Sequence, residues 1–132
     1  MKLLKYFPTA LVISSLFFFA TSALADHHMA KAIKVNSAKL SILTNAKGMT
    51  LYTFDKDQKG KSNCSGGCAK KWPPFLATNT SKGEGKFTVI NRADGTKQWA
   101  YKSQPLYFWF KDKKQGDVTG DGVKGVWHVA RP

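Results

Sequence analysis

From residue 39 onward, hydrophobic and polar positions fall into short runs with the signature of β-strands. Lys39 to Thr44 (KLSILT) alternates, Asn45-Ala46-Lys47-Gly48 reads as a turn, and Met49 to Phe54 (MTLYTF) is rich in β-formers. Two such runs about a short Gly-containing loop predict a hairpin. Phe87-Thr88-Val89-Ile90, then Asp94-Gly95, then Gln98-Trp99-Ala100-Tyr101 predict a second, because Gly accepts the positive φ of a tight turn. After a break at Ser103-Gln104-Pro105, the run Leu106–Phe110 (LYFWF) is apolar throughout and predicts a strand covered on both faces. Gly125 to Ala130 (GVWHVA) predicts a closing strand. Helix signals reduce to one turn from Gly67 to Lys71, stopped by Pro73-Pro74. Stretches 55–63, 78–85 and 111–124 are polar, rich in Gly or Lys, and read as loops.

Seven letters occur twice. Residues 51–57 read LYTFDKD and residues 106–112 read LYFWFKD. A fixed offset of 55 pairs Leu51 with Leu106, Tyr52 with Tyr107, Phe54 with Trp109, Lys56 with Lys111 and Asp57 with Asp112. It continues to Gly67 with Gly122 and Trp72 with Trp127. Tryptophan is rare enough that this match indicates an internal duplication. The expected fold is mainly β, with two related halves of antiparallel strands around one core and a short helical turn near the cysteine pair.

Residues i and i+2 of a strand share a face, so Tyr52 with Phe54, and Tyr107 with Trp109, each form a broad aromatic contact. Such rings bury ~150–250 Å² apiece and usually belong to a core. Asp57 and Asp112 come where each strand ends, and a carboxylate there accepts backbone N–H groups of the following turn. Trp72 and Trp127 are expected to close each half over its own aromatic pair. The functional alternative is that the paired rings line a ligand or electron-transfer site.

These residues also carry a resemblance. Tyr52-x-Phe54-x-x-Asp57 and Tyr107-x-Trp109-x-x-Asp112 each fit the pattern Yx(F/W/Y)xxD. Cys64-Ser65-Gly66-Gly67-Cys68 with Lys71-Trp72-Pro73-Pro74, and Gly122 to Val129 in the second copy, fit as well. The chain resembles the secreted-repeat family of bacterial predicted lipoproteins, over about residues 35–132, with repeat motifs near 51–77 and 106–132. It departs in lacking a lipidation cysteine. The resemblance implies no activity.

The N-terminus changes the setting. Lys2 and Lys5, an apolar Leu11–Ala20 and the small-x-small Ala23-Leu24-Ala25 form a secretory signal peptide over residues 1–25. Residues 26–34 are expected to be a flexible tail before a domain at 35–132, with no membrane span after cleavage. Export points to a periplasmic or secreted protein. The formal charge is +13. Removing Lys2 and Lys5 from 21 basic residues leaves 19 against 8 acids, a mature charge of +11. Export argues against nucleic acid, and the lysines are scattered through turns. Candidate partners are anionic envelope components or an acidic periplasmic protein.

Cys64 and Cys68 are the chain's two cysteines, and in an oxidising compartment they are expected to be joined. Their C-x-x-x-C spacing differs from the C-x-x-C of thiol–disulfide catalysts. Asp117-Val118-Thr119-Gly120-Asp121-Gly122 resembles the start of a calcium loop, but position 12 is His128, so it reads as a tight turn. His128 has no nucleophile motif beside it and reads as structural. Cleavage after Ala25 would expose Asp26-His27-His28, whose amine, amides and imidazole suit Cu(II) or Ni(II) in planar geometry. No cofactor is required by the sequence. The expectation is a non-enzymatic binding or envelope-associated module. The alternative is a periplasmic copper- or metal-handling or electron-transfer accessory protein.

Overall fold

The computed structural model describes residues 31–34 and 41–132. In chain order these give β1 (Lys31–Lys34), β2 (Ser41–Thr44), β3 (Tyr52–Phe54), helix α1 (Gly67–Lys71), β4 (Leu76–Ala77), β5 (Phe87–Asn91), β6 (Lys97–Tyr101), β7 (Gln104–Pro105), a 3-10 turn (Val123–Gly125) and β8 (Trp127–Val129). The fold is mainly β and the strand pairings are antiparallel: β1 with β2, β3 with β8, and β6 with β4, β5 and β7. β1 falls in the segment expected to be a tail, which therefore contributes a strand. Residues 1–25, expected to be a signal peptide, lie outside the described residues. Among those residues no helix is long and apolar enough to cross a membrane.

The Asp94-Gly95 hairpin forms as expected. Gly95 adopts φ +83°, its N–H donates to the Arg92 carbonyl, and Asp94 Oδ1 accepts both the Thr96 N–H and its hydroxyl. The first hairpin closes only at its base. Thr44 pairs with Thr50 and the Leu51 N–H donates to Leu43, but Tyr52–Phe54 leaves to pair with β8.

Leu106–Phe110 corrects the sequence reading. It is extended but forms no regular strand, and Phe110 is 42% exposed rather than covered on both faces. One edge exchanges hydrogen bonds with Tyr52. The other faces Pro73 and Pro74, which have no N–H to donate, so no continuous ladder can form there. The closing strand is also shorter than expected, because Gly125 belongs to the 3-10 turn.

The duplication is written into the hydrogen bonds. Tyr52 pairs with Val129 as Tyr107 pairs with Pro74. The Asp55 N–H donates to Val126 as the Phe110 N–H donates to Lys71, and Ala130 donates to Leu51 as Phe75 donates to Leu106. In each case the motif segment of one half bonds the residues beside the tryptophan of the other. Upstream, the hairpin β1–β2 corresponds to β5–β6, and Leu51 to Leu43 corresponds to Leu106 to Trp99. There the correspondence slips by one residue, because the connection from Thr44 to Thr50 is one residue longer than that from Ala100 to Pro105.

The interior divides on either side of the motif strands, since neighbours in an extended segment face opposite ways. Leu51 and Leu106 join Leu43, Phe75, Trp99 and Ala130 in one cluster. Tyr52 and Tyr107 join Ile42, Trp72, Trp127 and Val129 in the other, with Phe54 and Trp109 packed against them.

Candidate functional site

Short local signals place the two tryptophans. α1 ends at Trp72, whose N–H donates to the Cys68 carbonyl before Pro73-Pro74 stops the helix. The 3-10 turn precedes Trp127 at the equivalent place, with Gly122 and Gly125 taking positive φ. The indoles of Trp72 and Trp127 then stack on one another, centroids 3.8 Å apart and 4° from parallel. Phe54 stacks on the outer face of Trp127 at 4.1 Å, and Trp109 packs on the outer face of Trp72 at 4.0 Å. The result is a continuous column of four rings: Phe54, Trp127, Trp72, Trp109.

The expectation that each tryptophan closes its own half over its own aromatic pair holds for the tyrosines and fails for the stacking partners. Trp72 meets Tyr52 of its own half edge-on at 5.4 Å, but its stacking partners come from the other. Trp127 likewise meets Tyr107 edge-on at 5.2 Å and stacks on Phe54. Gly120 makes the approach possible. A Cβ there would lie 2.9 Å from both Trp109 Cγ and Trp72 Cη2.

The motif carboxylates are crossed in the same way. Tyr52 donates its hydroxyl hydrogen to Asp112 Oδ2 at 2.6 Å, and Tyr107 donates to Asp57 Oδ2 at 2.6 Å. Each phenol oxygen also has a further polar neighbour: the Gly120 N–H donates to Tyr52, and the Tyr107 hydroxyl lies 2.8 Å from Ser62 Oγ. The second carboxylate oxygen serves the local loop as expected: Asp57 Oδ1 accepts the Asn63 N–H, and Asp112 Oδ1 accepts the Thr119 N–H and hydroxyl. Burial pushes both tyrosine hydroxyls well above the ordinary phenol range, and the adjoining carboxylates add to it. Burial also raises Asp57, partly offset by the Asn63 N–H and the Tyr107 hydroxyl.

One side of the column opens into a groove of ≈ 410 Å³. All four rings line it, together with Cys68, Val123, Val126 and three lysines, Lys56, Lys71 and Lys124. No carboxylate is among its lining residues, and all three lysines are exposed. A neighbouring depression of ≈ 340 Å³ differs in charge, because its Lys59 and Lys102 face Asp55 and Asp57. Volumes of a few hundred Å³ are those of small-molecule sites.

The remaining candidates fall elsewhere. Cys64 and Cys68 are joined, with Cα atoms 5.3 Å apart, and the bridge braces α1 beneath the groove. His128 lies in β8, with Nε2 2.8 Å from Asp55 Oδ2. The calcium-like loop spends its oxygens internally: Asp117 Oδ2 accepts the Lys113 and Lys114 N–H groups, and Asp121 Oδ1 accepts the Val129 N–H. Those two amides hold the Asp117 carboxyl below its usual range. Asp26, His27 and His28 lie outside the described residues. The three lysines were not foreseen from sequence as one group: Lys56 and Lys71 stand out there only as letters of the repeat and its motif, and Lys124 only as part of Gly122 to Val129. Arg92 was missed too: it donates to Ser62, Gln98 and the Cys64 carbonyl, tying the disulfide loop to β6.

A family model described as a secreted repeat of unknown function matches the chain twice, at residues 35–75 and 88–131. No curated protein and no solved structure matches it.

Proposed function

We propose, for a chain that belongs to the secreted-repeat family, that it acts outside the cytoplasm as a non-enzymatic binding module and takes an anionic ligand with apolar parts on the groove above the ring column. The observation that carries this reading is the composition of the groove: a floor of four stacked rings, three exposed lysines around it, and no lining carboxylate. Exposed ammonium groups over an apolar floor attract anions at a distance and hold their apolar parts by contact. The Cys64–Cys68 bridge fits a support role, since a joined pair offers no thiolate.

Replacing Lys56, Lys71 and Lys124 together by Gln tests the reading. Binding to dextran sulfate and to phosphatidylglycerol vesicles is measured beside a variant with Lys82, Lys86 and Lys97 replaced instead, which removes the same charge elsewhere. The groove variant is expected to bind at least tenfold more weakly than the control variant at 0.1 M salt. Equal losses would mean that net charge alone drives binding and that the groove is not the site.

A further inference from the structure

We infer that the groove's ligand is a small, flat aromatic anion, bound with its π-face across the edges of the ring column and its charged group among Lys56, Lys71 and Lys124. The inference rests on the groove being the binding face and specifies what it takes. Trp72 and Trp127 are each covered on both faces by their neighbours in the column. At centroid spacings of 3.8 to 4.1 Å nothing can enter between the rings. The two central indoles, only 4% and 3% exposed, can therefore offer the groove nothing but their edges.

An aromatic edge carries partial positive charge and an aromatic face partial negative charge, so edge-to-face contact is favoured beyond burial alone. A flat ring system laid over several such edges gains this contact repeatedly. An alkyl chain in the same place gains burial alone. The ≈ 410 Å³ of the groove has room for a fused system of two or three rings.

The charged rim points the same way. Its three lysines come from both halves, and no lining carboxylate neutralises them. Lys124 adopts φ +52°, ψ +17°, a left-handed conformation that strains a residue with a side chain and that glycine would adopt freely. A lysine at a strained position on the groove is accounted for if its ammonium group contacts the ligand.

The test titrates the mature protein with anthraquinone-2-sulfonate and follows tryptophan fluorescence. Comparators are 2-(hydroxymethyl)anthraquinone, which is flat but uncharged, decanoate, which is anionic but not aromatic, and phosphatidylglycerol vesicles. The sulfonate is expected to bind one-to-one, at least tenfold tighter than either small comparator. The variant lacking the three groove lysines, checked to melt with the parent protein, is expected to lose that margin. Decanoate binding as tightly as the sulfonate would overturn the aromatic specificity. Vesicles binding through the groove lysines while the sulfonate does not would overturn this inference but leave the binding-module reading standing. If no probe distinguishes the lysine variant from the parent, both fail.

Discussion

The two halves of the molecule build the same corner with different chemistry. In the first, the loop after the motif is closed by the Cys64–Cys68 bridge and its helical turn has five residues. In the second, the places of those cysteines are taken by Thr119 and Val123, and the loop is closed by Asp112 on Thr119 and Asp121 on Val129. Yet Trp72 and Trp127 arrive in equivalent positions and stack nearly parallel. What the halves share is the crossing, in which each motif strand, tyrosine and aspartate finds its partner in the other copy. The local braces are interchangeable and the crossed contacts are not. The groove is a product of that crossing, because rings from both copies form its floor.

The largest effect should come from the column itself. Trp72→Ala and Trp127→Ala are each expected to cost ~3–5 kcal/mol in urea unfolding. Similar losses would confirm the equivalence of the two, whereas a well-folded Trp127→Ala beside an unfolded Trp72→Ala would break it. Gly120 offers a sharper asymmetry. Gly120→Ala forces a methyl group against Trp72 and Trp109 and should cost ~1–3 kcal/mol, while Ser65→Ala at the matching exposed position should be close to neutral. Mutating both cysteines to Ser should cost ~2 kcal/mol, the chain-entropy value for so short a loop, with the column preserved. Near-ultraviolet circular dichroism of the tryptophans would show whether it is.

A smaller effect, confined to alkaline pH, follows from the tyrosines. Folding raises the pKa of both, so above their unfolded value of 10.0 the native state holds protons that the unfolded chain has released. Their stabilisation is complete below pH 10 and is lost as pH rises through the folded values. Absorbance at 295 nm should show Tyr52 and Tyr107 ionising only as the protein unfolds. Normal ionisation of either in the native state would mean that its hydroxyl is not buried beside its carboxylate partner.

Much of this was legible in the letters, and the reasons are local. Asp94-Gly95, the stop at Pro73-Pro74 and the cysteine spacing are decided by neighbouring residues, so sequence reading found the second hairpin, α1 and the disulfide. The duplication was visible only where side chains had to match, from Leu51 and Leu106 onward. Upstream, β1–β2 and β5–β6 share a backbone role but few letters, and the correspondence slips by one residue. The crossing was hidden because a repeat shows which residues are equivalent, not which copy each one touches. Leu106–Phe110 misled because its apolar run is enclosed by segments of both halves, and two prolines prevent a regular ladder. The groove lysines come from a loop, the end of α1 and the 3-10 turn, and carry no shared signal until the chain is folded.

The claim that the halves are crossed is tested most directly by double-mutant cycles in urea. Tyr52→Phe is combined first with Asp112→Ala, its partner in the other copy, and then with Asp57→Ala, the aspartate of its own motif. The account predicts a coupling energy of ~1–3 kcal/mol for Tyr52 with Asp112 and less than ~0.5 kcal/mol for Tyr52 with Asp57. Strong coupling within the motif and none across it would contradict the crossed arrangement, and with it the ring column and the groove.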